Sequence, residues 1–368
     1  MRNNLDLLIE RLATKSLGTA NYYDHGGYCG ITSVMGNVRS FDATKQKKRM
    51  IPDYEKVEYV LVWGTNPMTA NRGPTTFAPQ ITNAIERGMK MVVIDPRYSK
   101  TAEKADVWVP VKPGGDGALA MAMCRWIIEN KRYDEIYLRN PNEGAAHLDN
   151  EPTWSDASYL VNVGDPKRPF LRAKDLGLGE DEFVVLEKGN PVPHTKGTDG
   201  DLEVNTTING MKVKSTFTIF KEKAFEKTLE EYSAQCDVSV DVITQIAKEF
   251  TSHGKKVGIH SYRGPAMHTN GYYSSRAINM LNHLVGNHDW VGGDTALGAK
   301  YKTTEGRYDL ASVPNPNISW GIPVTRHKTP YEKTTLFEKD GYPAKRPWYP
   351  LGNKLIQDVL PSAAEGYP

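Results

Sequence analysis

Apolar residues along the first half of the chain alternate between two periods. Leu5, Leu8, Ile9 and Leu12 recur at helical spacing and predict a helix over residues 2–16, with Gly18 as its stop. Tyr59-Val-Leu-Val-Trp63 is a continuous apolar run of buried-strand length, closed by Gly64-Thr-Asn-Pro67. Phe77, Ile81, Ala84 and Ile85 then mark a helix over residues 74–87 that ends at Gly88, and Met89-Lys-Met-Val-Val-Ile94 is the next strand, followed by Asp95-Pro-Arg97. A short helix near residues 101–104, a strand over 106–111, a Lys112-Pro-Gly-Gly-Asp-Gly117 loop and a helix over 118–130 continue the alternation. Strand, helix, strand in this order predicts an α/β fold with a doubly wound, mostly parallel sheet and helices on both faces.

Between about residues 140 and 223 the pattern breaks into turns and short strands, candidates being 183–187, 204–208 and 211–220. Asn209-Gly210 between two alternating runs is a hairpin signal, so this stretch reads as an irregular β-hairpin insertion. Helices are predicted over 224–234 and 239–250, the latter with Val242, Ile243, Ile246, Ala247 and Phe250 on one face. A strand over 256–261 leads through Tyr262-Arg-Gly-Pro-Ala-Met-His-Thr-Asn-Gly271 to a helix ending at Gly286. Periodicity stops after Gly292-Gly293, and residues 299–368 read as an irregular tail that wraps a surface. The chain opens in mid-helix and closes without a capping element, so a central fragment is expected.

Composition removes several function classes. A formal net charge of +2, from 46 basic and 44 acidic residues over 368, provides no electrostatic footprint for nucleic acid and no polybasic membrane patch. The three cysteines, Cys29, Cys124 and Cys236, are too dispersed for a zinc or iron–sulfur cassette and imply no disulfide framework. No apolar run reaches membrane-spanning length. Neither GxGxxG after a first strand nor GxxxxGK[ST] occurs, which argues against a simple NAD dehydrogenase or a P-loop enzyme.

Candidate chemistry lies at strand ends. In an open parallel sheet ligands bind beyond the carboxyl ends of the strands, and three loops fall there: residues 64–67, 95–97 and 113–117. Backbone N–H groups at Gly64, Thr65 and Asn66 suit a phosphate, and Asp95 and Asp116 suit ribose hydroxyls or a purine edge. Taken singly, each is equally a turn residue or a helix cap. Cys29, in His25-Gly-Gly-Tyr-Cys-Gly-Ile-Thr-Ser-Val-Met-Gly36, is on its own either a small buried thiol or a metal ligand.

Five motifs in order narrow these choices. Cys29-Gly30, Tyr59-Val-Leu-Val-Trp-Gly-Thr-Asn-Pro67, Val92-Val-Ile-Asp-Pro-Arg97, the segment Ala105-Asp-Val-Trp-Val-Pro-Val-Lys-Pro-Gly-Gly-Asp-Gly-Ala-Leu119, and Met267-His-Thr-Asn-Gly271 followed by Gly286-Asn-His-Asp-Trp-Val-Gly-Gly293 together resemble the molybdopterin oxidoreductases of the dimethyl sulfoxide reductase family over about residues 20–298. The resemblance implies a molybdenum or tungsten bis(molybdopterin guanine dinucleotide) with Cys29 as the one protein ligand to the metal, where a soft thiolate matches dithiolene sulfur. It also implies that Gly64, Thr65, Asn66, Asp95, Arg97, Pro113, Gly114 and Asp116 bind one dinucleotide, with Asp116 on the guanine edge. Thr269 and Asn270 would line the pterin, and His268 and Arg263 would face the metal pocket.

Family organisation implies discontinuous domains: 1–28 as the start of one α/β domain, 29–223 as an inserted dinucleotide-binding domain with the excursion 140–223, 224–298 as the return, and 299–368 as the tail. Within the family, the segment around 260–271 and the tail around 329–348 look most like catalytic subunits of tetrathionate reductases and their arsenate reductase relatives. Two-electron reduction of tetrathionate to thiosulfate is the implied activity. Arsenate, thiosulfate or polysulfide are alternative substrates, and the alternative of another class is a metal-free, non-catalytic subunit. Implied partners are a membrane anchor subunit plus an iron–sulfur electron-transfer subunit, with a further iron–sulfur cluster in an N-terminal part that this chain lacks. Periplasmic export by a twin-arginine signal, likewise outside the chain, is the implied localisation.

Overall fold

A computed structural model describes residues 30–41, 50–70 and 76–296. The chain divides into two compact units, and all the described residues except Gly30 and Ile31 fall in the unit Thr32–Leu297. The helix expected over residues 2–16, the tail 299–368 and Cys29 lie outside the described residues.

The first elements are α1 (Ile31–Ser40), β1 (Met50–Pro52), β2 (Tyr59–Trp63), α2 (Ala78–Glu86), β3 (Lys90–Ile94), a 3₁₀ turn at Ala102–Lys104, β4 (Val107–Val109) and α3 (Asp116–Glu129). Two short helices follow, α4 (Glu135–Arg139) and α5 (Glu143–Leu148), then β5 (Leu160–Asn162), β6 (Val184–Glu187), β7 (Asn190–Pro193), β8 (Asn205–Ile208) and β9 (Met211–Ser215). The rest comprises α6 (Thr216–Ala224), α7 (Leu229–Cys236), α8 (Val240–Phe250), β10 (Val257–Ser261), α9 (Arg263–Ala266), α10 (Gly271–Val285) and β11 (Asp294–Ala296).

A four-stranded, all-parallel sheet in the order β10-β2-β3-β4 forms the centre. Every residue of β2 is buried because successive side chains enter two different cores. Tyr59, Leu61, Trp63, Val92 and Ile94 pack with residues of α3, α7, α8 and α10, including Leu119, Met123, Tyr232, Ile243, Phe250 and Ile278. Val60, Val62, Met91 and Val93 face the other way, onto Ile81 and Ala84 of α2. The expected α/β class with a doubly wound parallel sheet is therefore what the chain forms. Each large apolar side chain buried in these two layers contributes about 1.5–3 kcal/mol, which is why an uninterrupted apolar run is tolerated at the sheet's centre.

Residues 140–223 build a smaller, antiparallel layer: β6 pairs with β7, and β5-β9-β8 form a second sheet. The Asn209-Gly210 turn has both residues at positive φ, 48° and 79°, as a two-residue hairpin requires.

Three expectations need correction. The apolar run 211–220 is not one strand: Ser215 accepts the Thr218 amide on its hydroxyl, and the chain turns into α6. The helix expected from residue 224 starts instead at Leu229, where Thr228 and Glu231 form a reciprocal capping box. The helix expected from 118 starts at Asp116, two residues earlier, so Asp116 occupies a first helical turn rather than a loop. β10 hydrogen-bonds alongside β2 in the central sheet. Three-residue β11 carries no periodicity, and it pairs antiparallel with β1.

Candidate cofactor and active site

The carboxyl ends of β2, β3, β4 and β10 lead into four segments, beginning at Gly64, Asp95, Pro110 and Tyr262, and specific contacts tie them together. Gly64 has φ +58° and its amide donates to the Ile94 carbonyl at 2.8 Å, so the first loop folds back over β3. Its own carbonyl accepts the Gly264 amide at 2.9 Å, which brings the 262–271 segment against it. Asn66 accepts the Thr101 hydroxyl at 2.5 Å, and Thr101 in turn accepts the Met68 amide. Gly64, Thr65 and Asn66 are half-buried, and the amide and carbonyl of Gly64 are both taken up by the hydrogen bonds to Ile94 and Gly264.

Asp95 uses one carboxylate oxygen locally, accepting the Arg97 amide at 2.8 Å in an Asx turn. Burial raises its carboxyl above the ordinary carboxylate range, partly offset by Arg97. Arg97 is exposed. Trp108 of β4 donates its indole N–H to the Asp95 carbonyl, fixing the ends of β3 and β4 together.

The third loop leads into the first turn of α3, which carries the most deeply buried acid of the cluster. Asp116 is 4% exposed, and its Oδ1 accepts the indole N–H of Trp63 at 2.8 Å. Burial raises the Asp116 carboxyl, and the Trp63 hydrogen bond, its own amide and the nearby His268 pull it back. Gly114 has φ +84°, and a methyl there would stand 3.8 Å from Nδ1 of His268, so the His268 ring lies beside this loop. Gly115 packs so closely that a side chain would come within 2.7 Å of the Cys236 α-carbon. Pro113 and Gly114 are exposed.

Across the cluster, α9 and α10 bring up Arg263, His268, Thr269 and Asn270, all exposed. Arg263 lies over the Tyr262 ring at 5.3 Å. Asn270 stands at the N-cap of the 15-residue α10 without a side-chain capping bond, and Gly115 does the same for α3. The exposed start of α10 thus leaves orphan N–H groups and a positive dipole end that suit an anionic ligand, whereas the buried start of α3 already carries the Asp116 carboxylate in its first turn. α1 is drawn to the same place, since Thr32 donates its hydroxyl to the Ala266 carbonyl at 2.6 Å and Asn37 accepts Nδ2–H of Asn279.

The sequence-level candidates among the described residues are therefore brought together, Asp116 at the bottom and His268 beside Gly114. His260, near the end of β10, stays apart from them: it is 4% exposed, hydrogen-bonded by Tyr54 and edge-on to Phe77, a core histidine. Trp63 reads in the sequence only as strand, yet a buried Trp needs a partner for its N–H, and its position one residue before Gly64 is the signal that could have found it. Among the described residues no three His, Cys, Asp or Glu side chains cluster to hold a metal, and no helix is long and apolar enough to cross a membrane.

Residues 6–334 match the family described as molybdopterin oxidoreductase. The chain belongs to the molybdopterin oxidoreductase family. It is 41% identical to a selenate reductase subunit of Mesobacillus selenatarsenatis over 98% of this chain and 36% of that protein. It is 33% identical to a tetrathionate reductase subunit of Salmonella typhimurium over 99% of this chain and 38% of that one. Among solved structures, acetylene hydratase from Pelobacter acetylenicus superposes with a TM-score of 0.46 and 18% identity over 74% of this chain and 26% of that one. The chain spans a little over a third of the length of these two curated relatives.

Membership implies a molybdenum–molybdopterin cofactor, and the described residues fit one. Gly114 exposes backbone in a conformation that a side chain would disfavour, the uncapped start of α10 suits an anion such as phosphate, and Asp116 presents a fixed, buried carboxylate.

Proposed function

We propose that the full-length protein is the catalytic subunit of a respiratory reductase that carries molybdenum bis(molybdopterin guanine dinucleotide) and reduces an oxyanion of selenium or sulfur by two electrons. The carrying observation is the convergence of the three strand-end loops and the 262–271 segment around Asp116, in a chain that is 41% identical over nearly its whole length to a selenate reductase subunit. Selenate is the first reading: selenate, two electrons and two protons yield selenite and water. Tetrathionate is the second, favoured by the 260–271 segment and by the 33% identity to a tetrathionate reductase subunit; two electrons cleave its central S–S bond into two thiosulfates.

In this reading Cys29 is the protein ligand to the metal. Gly64, Thr65, Asn66, Asp95, Arg97, Pro113, Gly114 and Asp116 hold one dinucleotide, and Thr269 and Asn270 line the pterin. Arg263 supplies positive charge to the entering oxyanion, and His268 stands ready to deliver a proton to the departing oxygen. When bound, the metal centre supplies the two-electron chemistry. Electrons enter through an iron–sulfur subunit of the complex, and a twin-arginine leader delivers the folded protein to the periplasm.

The test uses the full-length protein produced anaerobically, assayed with a reduced viologen dye against selenate, tetrathionate, thiosulfate and arsenate. The first reading expects kcat/KM for selenate to exceed the others by about tenfold or more, a gap of about 1.4 kcal/mol in transition-state binding. Preference for tetrathionate establishes the second reading, and a full-length protein without molybdenum or tungsten sinks both. Cys29→Ala should abolish turnover while leaving the fold intact.

A further inference from the structure

The fully buried Trp63 closes β2 and sends its indole under the start of α3, where Nε1–H meets Oδ1 of Asp116 at 2.8 Å. Nothing else about this position calls for tryptophan: β2 could end in any large apolar residue and still fill the core shared with α3 and α10. Tryptophan adds one donor, and that donor meets the most deeply buried acid of the loop cluster.

We propose that Trp63 is a positioning residue for nucleotide recognition, locking one Asp116 oxygen so that the other is held toward the loop cluster to accept paired N–H donors of a purine, the N1–H and exocyclic amine of guanine. This deepens the guanine dinucleotide reading and rests on it. A carboxylate free to rotate would offer its two oxygens to a guanine edge in many orientations, whereas one whose Oδ1 is already engaged has a single orientation left. The partner also favours the ionised form that must accept both hydrogens. Burial and the charge of Asp95 work against that form, and His268 works with it. Among the described residues Cys236 also feels the Asp116 carboxylate, and burial holds it as a neutral thiol.

The experiment measures the guanine nucleotide released per polypeptide after acid treatment of the purified full-length protein, for wild type, Asp116→Asn, Trp63→Phe and the double variant. Losing this donor to a charged group should lower nucleotide retention about tenfold, the equivalent of about 1.4 kcal/mol. Because Asp116 then titrates higher, retention by Trp63→Phe should rise through a series of washes of increasing pH, a recovery that a merely structural defect would not show. Adding Trp63→Phe to Asp116→Asn should cost nothing further. Replacing Trp63 by 3-benzothienylalanine, which keeps the ring shape and lacks the N–H, repeats the measurement with the packing preserved.

Equal retention by wild type and the 3-benzothienylalanine protein at every pH would overturn the positioning role. So would a loss that is independent of pH, or one that adds to that of Asp116→Asn. A wild-type protein that releases no guanine nucleotide, or an Asp116→Asn variant that retains it fully, overturns the guanine reading itself.

Discussion

The Gly264 amide donates to the Gly64 carbonyl at 2.9 Å, and the two residues approach so closely that a methyl at Gly264 would stand 2.6 Å from both the α-carbon and the carbonyl oxygen of Gly64. This seam joins the end of β2 to the segment that carries Arg263 and His268. Gly264→Ala should force the two loops apart, at about 1–3 kcal/mol for overpacking. Thermal melting should fall accordingly, and cofactor occupancy should fall more than the melting shift alone explains, because the displaced backbone belongs to the cradle. A variant with wild-type melting and wild-type occupancy would mean that the seam is slack.

Asp294 and His260 give stability two opposed dependences on pH. Asp294 is fully buried, accepts the Ile259 amide and Nδ2–H of Asn282, and is pushed by burial from 3.8 to about 7. His260, hydrogen-bonded to Tyr54, is pushed by burial from 6.5 to about 4. A raised acid binds its proton more tightly in the folded chain, so its stabilisation is complete below about pH 4 and is lost as pH rises toward 7. A depressed histidine works the other way: stability is complete above about pH 6.5 and is lost as pH falls toward 4. The two nearly cancel in the wild type. Asp294→Asn should therefore expose the histidine's slope, with stability falling on acidification, and His260→Asn should expose the acid's slope, with stability rising. Denaturant midpoints across this range decide it, and identical profiles for the two variants would refute the assignment.

Much of this architecture was legible because it rests on runs of apolar residues. The Tyr59–Trp63 and Lys90–Ile94 strands needed only burial on two faces, and Gly88, Gly286 and the Asn209-Gly210 pair needed only their positive φ. Elements governed by single hydrogen bonds were not legible. The 211–220 run has strand composition throughout, yet one cap at Ser215 turns its second half into helix. The site divides in the same way. Gly64, Asp95 and Asp116 could be placed at strand ends from periodicity, but the Trp63–Asp116 bond and the Gly64–Gly264 seam link residues far apart in sequence, and only the fold brings them together.

Lys255 rivets the antiparallel layer to the main sheet. It is only about a tenth exposed, pairs with Glu151 and with Oδ2 of Asp134 at 3.2 Å, and lies 4.8 Å over the Trp290 ring. Burial raises the Glu151 carboxyl and Lys255 offsets the effect, so removing the lysine leaves an uncompensated buried acid. Lys255→Met should destabilise by about 3–5 kcal/mol, while Lys255→Met with Glu151→Gln should recover part of that loss because no charge is stranded. Double-mutant melting measures the difference, and equal losses in the single and double variants would show that the pair does not act as a unit.

Gly114 provides a test of the cradle that leaves its acid in place. Its φ of +84° lies where residues with a side chain are strained, and a methyl there would stand in ordinary contact, at 3.8 Å, with Nδ1 of His268. Space is therefore available and the cost of Gly114→Ala is conformational, about 1–2 kcal/mol, relieved only if the loop rotates out of its conformation. Since the loop is exposed, the fold should absorb that rotation with little change in melting, whereas the backbone offered to the cofactor would be misdirected. The expected result is near-normal stability with cofactor retention reduced by about tenfold, the equivalent of about 1.4 kcal/mol. Gly114→Asn should retain more than Gly114→Ala, because asparagine tolerates the left-handed region better. Equal retention in the two variants would show that backbone conformation at this residue is not what the cofactor reads.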